Sequence, residues 1–162
     1  MNSFQRAATT GVFALLALGA AVNAGAQVPY ERILNAADEP ENWLTYHGSY
    51  SSLRFSTLSQ ITTENVTDLE SKWVLQNQVF GAWQSNPIVV DGIMYITERP
   101  NDVMAVDAVT GRVFWMYRHT NDEAAAVCCG ANNRGVAVLD DKVFMGTLDA
   151  RLIALDRTNG QP

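Results

Sequence analysis

The second half of the chain repeats itself, and no other feature narrows the possible folds as much. Val90-Asp91-Gly92-Ile93-Met94-Tyr95-Ile96, then Val103-Met104-Ala105-Val106-Asp107 and Gly111, return 49 residues later. The echo is Leu139-Asp140-Asp141-Lys142-Val143-Phe144-Met145, then Leu152-Ile153-Ala154-Leu155-Asp156 and Gly160. Both copies carry A-x-D-x-x-x-G, with Ala105, Asp107 and Gly111 answered by Ala154, Asp156 and Gly160. Within the first copy, short apolar runs alternate with turn residues at roughly ten-residue spacing, which predicts meandering antiparallel sheet.

The strands expected are Ile88 to Val90, Ile93 to Thr97, Val103 to Asp107 and Val113 to Tyr117. Asp91-Gly92 suits a type I′ hairpin because both positions tolerate positive φ. In the last strand, alternation predicts Val113, Trp115 and Tyr117 on one face. One four-stranded sheet of about 50 residues that recurs is a blade of a β-propeller, so the fold class expected is all-β with four-stranded antiparallel blades. The second copy offers Gly135 to Leu139, Val143 to Thr147 and Arg151 to Leu155, and lacks a fourth strand with its tryptophan. A sheet cut after three strands leaves an apolar edge, and propellers typically hold about 4 to 8 blades. The chain therefore reads as the N-terminal portion of a longer protein with about two blades. Before the repeat, Trp43 to Ser56 reads as a packed, turn-rich arm, Thr62 to Leu69 as a short helix and Ser71 to Gln76 as a strand.

Residues 1–26 read as an export signal. Arg6 supplies the positive n-region, Val12 to Val22 the apolar core, and Ala24-Gly25-Ala26 the small-residue cleavage site. The apolar run is too short to span a bilayer. With Arg6 removed, ten basic side chains face 17 acidic ones, so the mature chain is expected to be acidic and periplasmic, without a membrane span. That balance argues against nucleic-acid binding.

In an oxidising compartment two cysteines suggest one disulfide, and here they are neighbours, Cys128 and Cys129. Bonding them closes a strained ring, because Cα atoms about 3.8 Å apart fall below the usual disulfide range of about 4.4 to 6.8 Å. Such a ring would be a rigid, flat, polarizable plate for an aromatic cofactor. Two unlinked thiols, or one cysteine paired elsewhere, are the plainer alternatives. Arg134, six residues after Cys128, could hold a carboxylate bidentately, or simply face Asp140 or Asp141 at a strand end. Asn132 and Asn133 read as turn formers. His47 and His119 show no metal-ligand spacing and read as surface or packing residues, and Glu98, Asp122 and Glu123 as solvated loop acids. Gly130 and Gly135 do not make a phosphate loop, and no G-x-S-x-G element is present.

Cys128-Cys129-Gly130-Ala131-Asn132-Asn133-Arg134-Gly135-Val136-Ala137, with Gly146-Thr147-Leu148-Asp149-Ala150 and Ala154-Leu155-Asp156, resembles the N-terminal part of the periplasmic quinoprotein alcohol dehydrogenases of the methanol and ethanol dehydrogenase type. Trp43 to Gly48 and Asn65 to Leu69 fit that family's opening. The resemblance implies an eight-bladed propeller, within the usual blade range, in which Ala105, Asp107, Gly111 and Trp115 belong to the blade-docking motif. It divides the chain into a signal peptide over 1–26, an N-terminal arm and strand over 27–80, and the first blades of a pyrroloquinoline quinone (PQQ)-binding propeller over 81–162.

By the same resemblance, Cys128 and Cys129 form a vicinal disulfide against one face of PQQ, and Arg134 bonds its carboxylate or quinone oxygens. Gln84 stands where relatives commonly have a glutamate touching the cofactor. The catalytic aspartate and the ligands of a Ca²⁺ or lanthanide ion are expected beyond Pro162, so this chain holds no catalytic residue and is inactive alone. The full-length protein is expected to oxidise a primary alcohol to an aldehyde and pass electrons to a cytochrome c. The alternative is a non-enzymatic periplasmic propeller scaffold, which shares the repeat but has no use for Cys128, Cys129 and Arg134 together.

Overall fold

The computed structural model describes residues 27–162, and the expected export signal lies outside them. Strands β1 (Ile88–Val90), β2 (Ile93–Glu98), β3 (Asp102–Asp107) and β4 (Val113–Tyr117) form one antiparallel meander. Strands β5 (Ala137–Leu139), β6 (Lys142–Gly146) and β7 (Leu152–Asp156) form a second, in the order of the chain. Each expected strand of the repeat is therefore present, within two residues at either end. Asp91 and Gly92 join β1 to β2 with φ of 52° and 76°, as a type I′ turn requires.

The repeated aspartate and glycine have a physical role in the turn between the third and fourth strand positions. Asp107 Oδ1 accepts the amides of Val109 and Thr110, and Asp156 Oδ1 those of Thr158 and Asn159. Gly111 and Gly160 follow with φ of 74° and 71°. Each glycine lies under an indole. A Cβ on Gly160 would sit 2.5 Å from Trp115 Cε3, and one on Gly111 would sit 2.7 Å from Trp73 Cδ2. The indole N–H groups donate to equivalent carbonyls, Trp115 to Arg157 and Trp73 to Ala108. One blade thus docks on the next by laying a tryptophan into the following blade's turn.

Three expectations are corrected. Ser71 to Gln76 is not a strand, because no ladder partner lies beside it among the described residues; Trp73 and Leu75 hold it instead, against the cluster of Ile96, Met104 and Val106. Thr62 to Leu69 shrinks to a 3-10 turn at Val66–Asp68. There Asn65 accepts the Thr62 amide through its side chain, a local bond that competes with helix. Finally, the ladder pairs Ala105 with Trp115 but Val106 with Val113, so a bulge at Phe114 turns Val113 to the face opposite Trp115 and Tyr117.

The main core lies between the two sheets and includes Val90, Tyr95, Val103, Val138, Val143 and Leu155. The N-terminal arm closes it with Val28, Ile33 and Leu44. Helix α1 (Tyr30–Leu34), not foreseen from sequence, is fastened by Arg32, whose guanidinium pairs with Glu39 at 2.6 Å and Asp91 at 2.5 Å.

Candidate cofactor site

Both cysteines sit on the irregular segment between β4 and β5. Cys129 and Gly130 take consecutive left-handed conformations, with φ of 65° and 88°, which folds the chain sharply back. The two thiols are exposed and unlinked, with their Sγ atoms 2.8 Å apart. The neighbouring Cys128 sulfur, and then partial desolvation, hold the Cys129 thiol above its ordinary pKa, while the positive charge of Arg134 pulls the other way. Arg134 faces the same open cavity of about 290 Å³, together with Val127, Asn132 and Leu148.

The backbone holds that geometry firmly. The Arg134 carbonyl accepts the Asn86 amide at 3.0 Å, and Asn86 and Gly135 pair as a parallel bridge. The chains run so close there that a Cβ on Gly135 would lie 2.9 Å from the Asn86 carbonyl oxygen. Asn133 is more than the turn former expected. It is 7% exposed, donates to Gly146 O at 2.9 Å and accepts the Gly135 amide at 3.0 Å. Gln84 is exposed, two residues before the bridge; its segment runs beside Arg134, but its side chain is not part of the cavity wall.

A planar anion would find complementary groups in this wall. Among the described residues the exposed guanidinium of Arg134 makes no hydrogen bond or ion pair, and the buried Asn132 Oδ1 has no hydrogen-bond partner. The cysteine pair adds a soft, weakly polar surface beside them. These residues fit one face of a flat, carboxylate-bearing ring.

The other polar residues sort differently. His47 lies against the Tyr46 ring and contacts Arg54 at 2.8 Å. His119 is no plain surface residue: its ring nitrogen lies 3.0 Å from both oxygens of Asp149. The Thr147 hydroxyl, His119 and the Asp122 amide keep the Asp149 carboxyl well below the usual carboxylate range. Asp122 and Glu123 are exposed, as expected for loop acids.

Glu98 is not solvated. It ends β2 at 4% exposure, and its Oε1 has no hydrogen-bond partner among the described residues. Burial, and then the nearby Asp102 carboxylate, raise its pKa. An acid whose folded pKa is raised contributes stability that is complete below its unfolded value, near pH 4, and lost as pH rises through the folded value. Glu98→Gln is therefore expected to raise the melting temperature at pH 7 and to leave it nearly unchanged at pH 4; equal shifts at both would contradict this.

Residues 43–162 match the family model "PQQ: Glucose/ethanol/alcohol dehydrogenase, beta-propeller domain". The chain belongs to this family. Among relatives of the PQQ propeller family, the dehydrogenase subunit of the alcohol dehydrogenase (quinone) of Gluconacetobacter polyoxogenes is 40% identical over 167 residues, covering 99% of this chain and 23% of that protein. The structure of a quinohemoprotein alcohol dehydrogenase from Pseudomonas putida HK5 superposes with a TM-score of 0.80 at 42% identity, over 85% of this chain and 20% of that one. A europium-containing methanol dehydrogenase superposes at 0.74 and 32% identity, over 81% of this chain and 24% of its own. The chain thus spans about a quarter of the length of these PQQ propeller relatives. Among the residues sequence reasoning underrated, Asn133 and Asp149 lie inside segments that carry the family resemblance, yet their partners are remote in sequence.

Proposed function

We propose that the full-length protein is a periplasmic PQQ-dependent alcohol dehydrogenase that oxidises a primary alcohol to the aldehyde. Cys128, Cys129 and Arg134 form one wall of its cofactor site. The observation that carries this reading is the guanidinium of Arg134, unpartnered among the described residues, beside the two sulfurs in one cavity. PQQ, when bound, supplies the acceptor for the two electrons removed from the alcohol. The residues of this chain hold and orient it. Arg134 binds a carboxylate or quinone oxygen, Asn132 Oδ1 accepts from a ring N–H or a bound water, and the sulfur pair covers one face.

On export the thiols are oxidised to a vicinal disulfide. Each loses its proton, and the pair passes two electrons to a dithiol-disulfide oxidant, which is reduced to its own dithiol. The sulfurs are already in contact, so the remaining change is local. Gln84, exposed outside the cavity wall on the segment beside Arg134, would meet the cofactor only at its edge, through a neutral amide where a carboxylate would be charged. A Ca²⁺ or lanthanide ion, held by residues outside this chain, completes the site; the europium-containing methanol dehydrogenase supports that requirement. A cytochrome c takes the electrons onward, which agrees with the quinohemoprotein names among the relatives.

The test is a PQQ titration of the full-length protein, with and without Cys128→Ser, alongside mass spectrometry of the exported material. The expected results are saturable binding, at least tenfold weaker in the variant on the scale of about 1.4 kcal/mol lost, and a mass lower by two hydrogens than that of the dithiol. Free thiols with unaltered binding would remove the sulfur wall, and no binding by the wild type would leave a propeller without cofactor.

A further inference from the structure

We propose that Asn101 is a positioning residue for the cysteine wall, one buried amide that clamps both ends of the loop carrying Cys128 and Cys129. It sits in the turn between β2 and β3 and is fully buried, at 0% exposure. Its Nδ2 donates to Asn121 Oδ1, seven residues before Cys128. Its Oδ1 accepts from Asn133 Nδ2 at 3.1 Å, four residues after Cys129, and from the Leu148 amide at 3.0 Å. One side chain therefore joins the start of the cysteine loop, its end, and the turn after β6 that supplies another part of the cavity wall.

The loop between those points has no strand or helix of its own. Its shape depends on where its ends are held, since a free loop loses conformational entropy when a ligand orders it and binds that ligand more weakly. Asn101 uses donor and acceptor together, and its anchor is a hairpin turn between the two central strands of the first blade. Alanine there would leave the Leu148 amide and the Asn121 side-chain oxygen without this partner in a partly buried setting, and would take from Asn133 one of its two acceptors. A side chain that only filled space would not need three polar partners on three separate segments.

The consequence for cofactor binding rests on the reading of Cys128, Cys129 and Arg134 given above, whereas the clamp itself can be measured without cofactor. Hydrogen-deuterium exchange on PQQ-free, full-length protein is compared for wild type, Asn101→Ala, Asn121→Ala and a core control, Val90→Ala. The two asparagine variants are expected to exchange about tenfold faster or more across residues 122–132, an effect Val90→Ala lacks. PQQ titration of the same proteins is expected to show about tenfold weaker binding for Asn101→Ala beyond any change in the control.

Unchanged loop exchange in both asparagine variants would overturn the clamp. Faster exchange with PQQ affinity no worse than in the control would overturn the positioning role. If Cys128→Ser and Arg134→Ala bind PQQ as the wild type does, the cofactor wall falls while the exchange result stands on its own. Should Asn101→Ala not be recovered folded, Asn121→Ala, which removes a partner of intermediate burial, decides by the same two readouts.

Discussion

Arg134→Ala in the full-length protein is expected to weaken PQQ binding roughly 10- to 100-fold while leaving the melting temperature of the PQQ-free protein almost unchanged. The size follows from one or two charge-assisted hydrogen bonds at about 1.5 to 3 kcal/mol each, where about 1.4 kcal/mol is a factor of ten. The selectivity follows from how Arg134 is held. Its structural bond is made by the backbone carbonyl to the Asn86 amide, which alanine keeps, and its exposed side chain has no partner to lose among the described residues. Exposed substitutions of that kind stay within about 0.5 kcal/mol. Arg134→Lys keeps the charge without the planar fork and should recover only part of the affinity. Titration followed by absorbance or calorimetry, with a thermal melt of each cofactor-free variant, checks both halves. Affinity within twofold of wild type would remove Arg134 from the site.

Trp115→Ala is expected to cost roughly 3 kcal/mol, toward the low end of the range for deleting a tryptophan because the indole is only half-buried. Three contacts disappear together: the ring laid over Gly160, the tilted packing on Tyr95 with centroids 5.9 Å apart, and the N–H bond to the Arg157 carbonyl at 3.0 Å. The first and third join the first sheet to the turn that follows β7 in the second, whereas Tyr95 lies on β2 within the first sheet itself. The loss should therefore appear as weakened coupling between blades as well as a lower denaturant midpoint. Trp115→Phe, which keeps a ring but no donor, should fall between. A midpoint unchanged in Trp115→Ala would show that the blades are held by the shared core alone. The matching geometry of Trp73 on Gly111 makes the same experiment available one unit earlier in the chain.

Much of the propeller was legible because its information is local. Alternation with a period of two, an Asp-Gly pair and an aspartate placed to cap its own turn each act within a few residues, so four strands of the first blade and three of the second could be located from sequence. The failures have a common cause. Ser71 to Gln76 looks like a strand, but a strand needs a partner, and no residue in that segment specifies one. Val113 reads as facing the same way as Trp115 until a bulge, set by pairing with β3, turns it over. Glu98 reads as a loop acid, yet β2 runs one residue further than expected and carries it inward.

The site divides along the same line. The sequence by itself determined that a soft pair of sulfurs and a guanidinium lie within a few residues of one another, in a chain built from propeller blades, because adjacency and periodicity are properties of the chain. Only the tertiary structure decided that these groups share a cavity, that Gln84 stands outside its wall, and that Asn101 and Asn133 tie the loop down. The ties of Asn101 and Asn133 depend on hydrogen bonds between residues 13 to 47 positions apart, and a buried amide reads the same as a turn-forming one until its partners are brought to it.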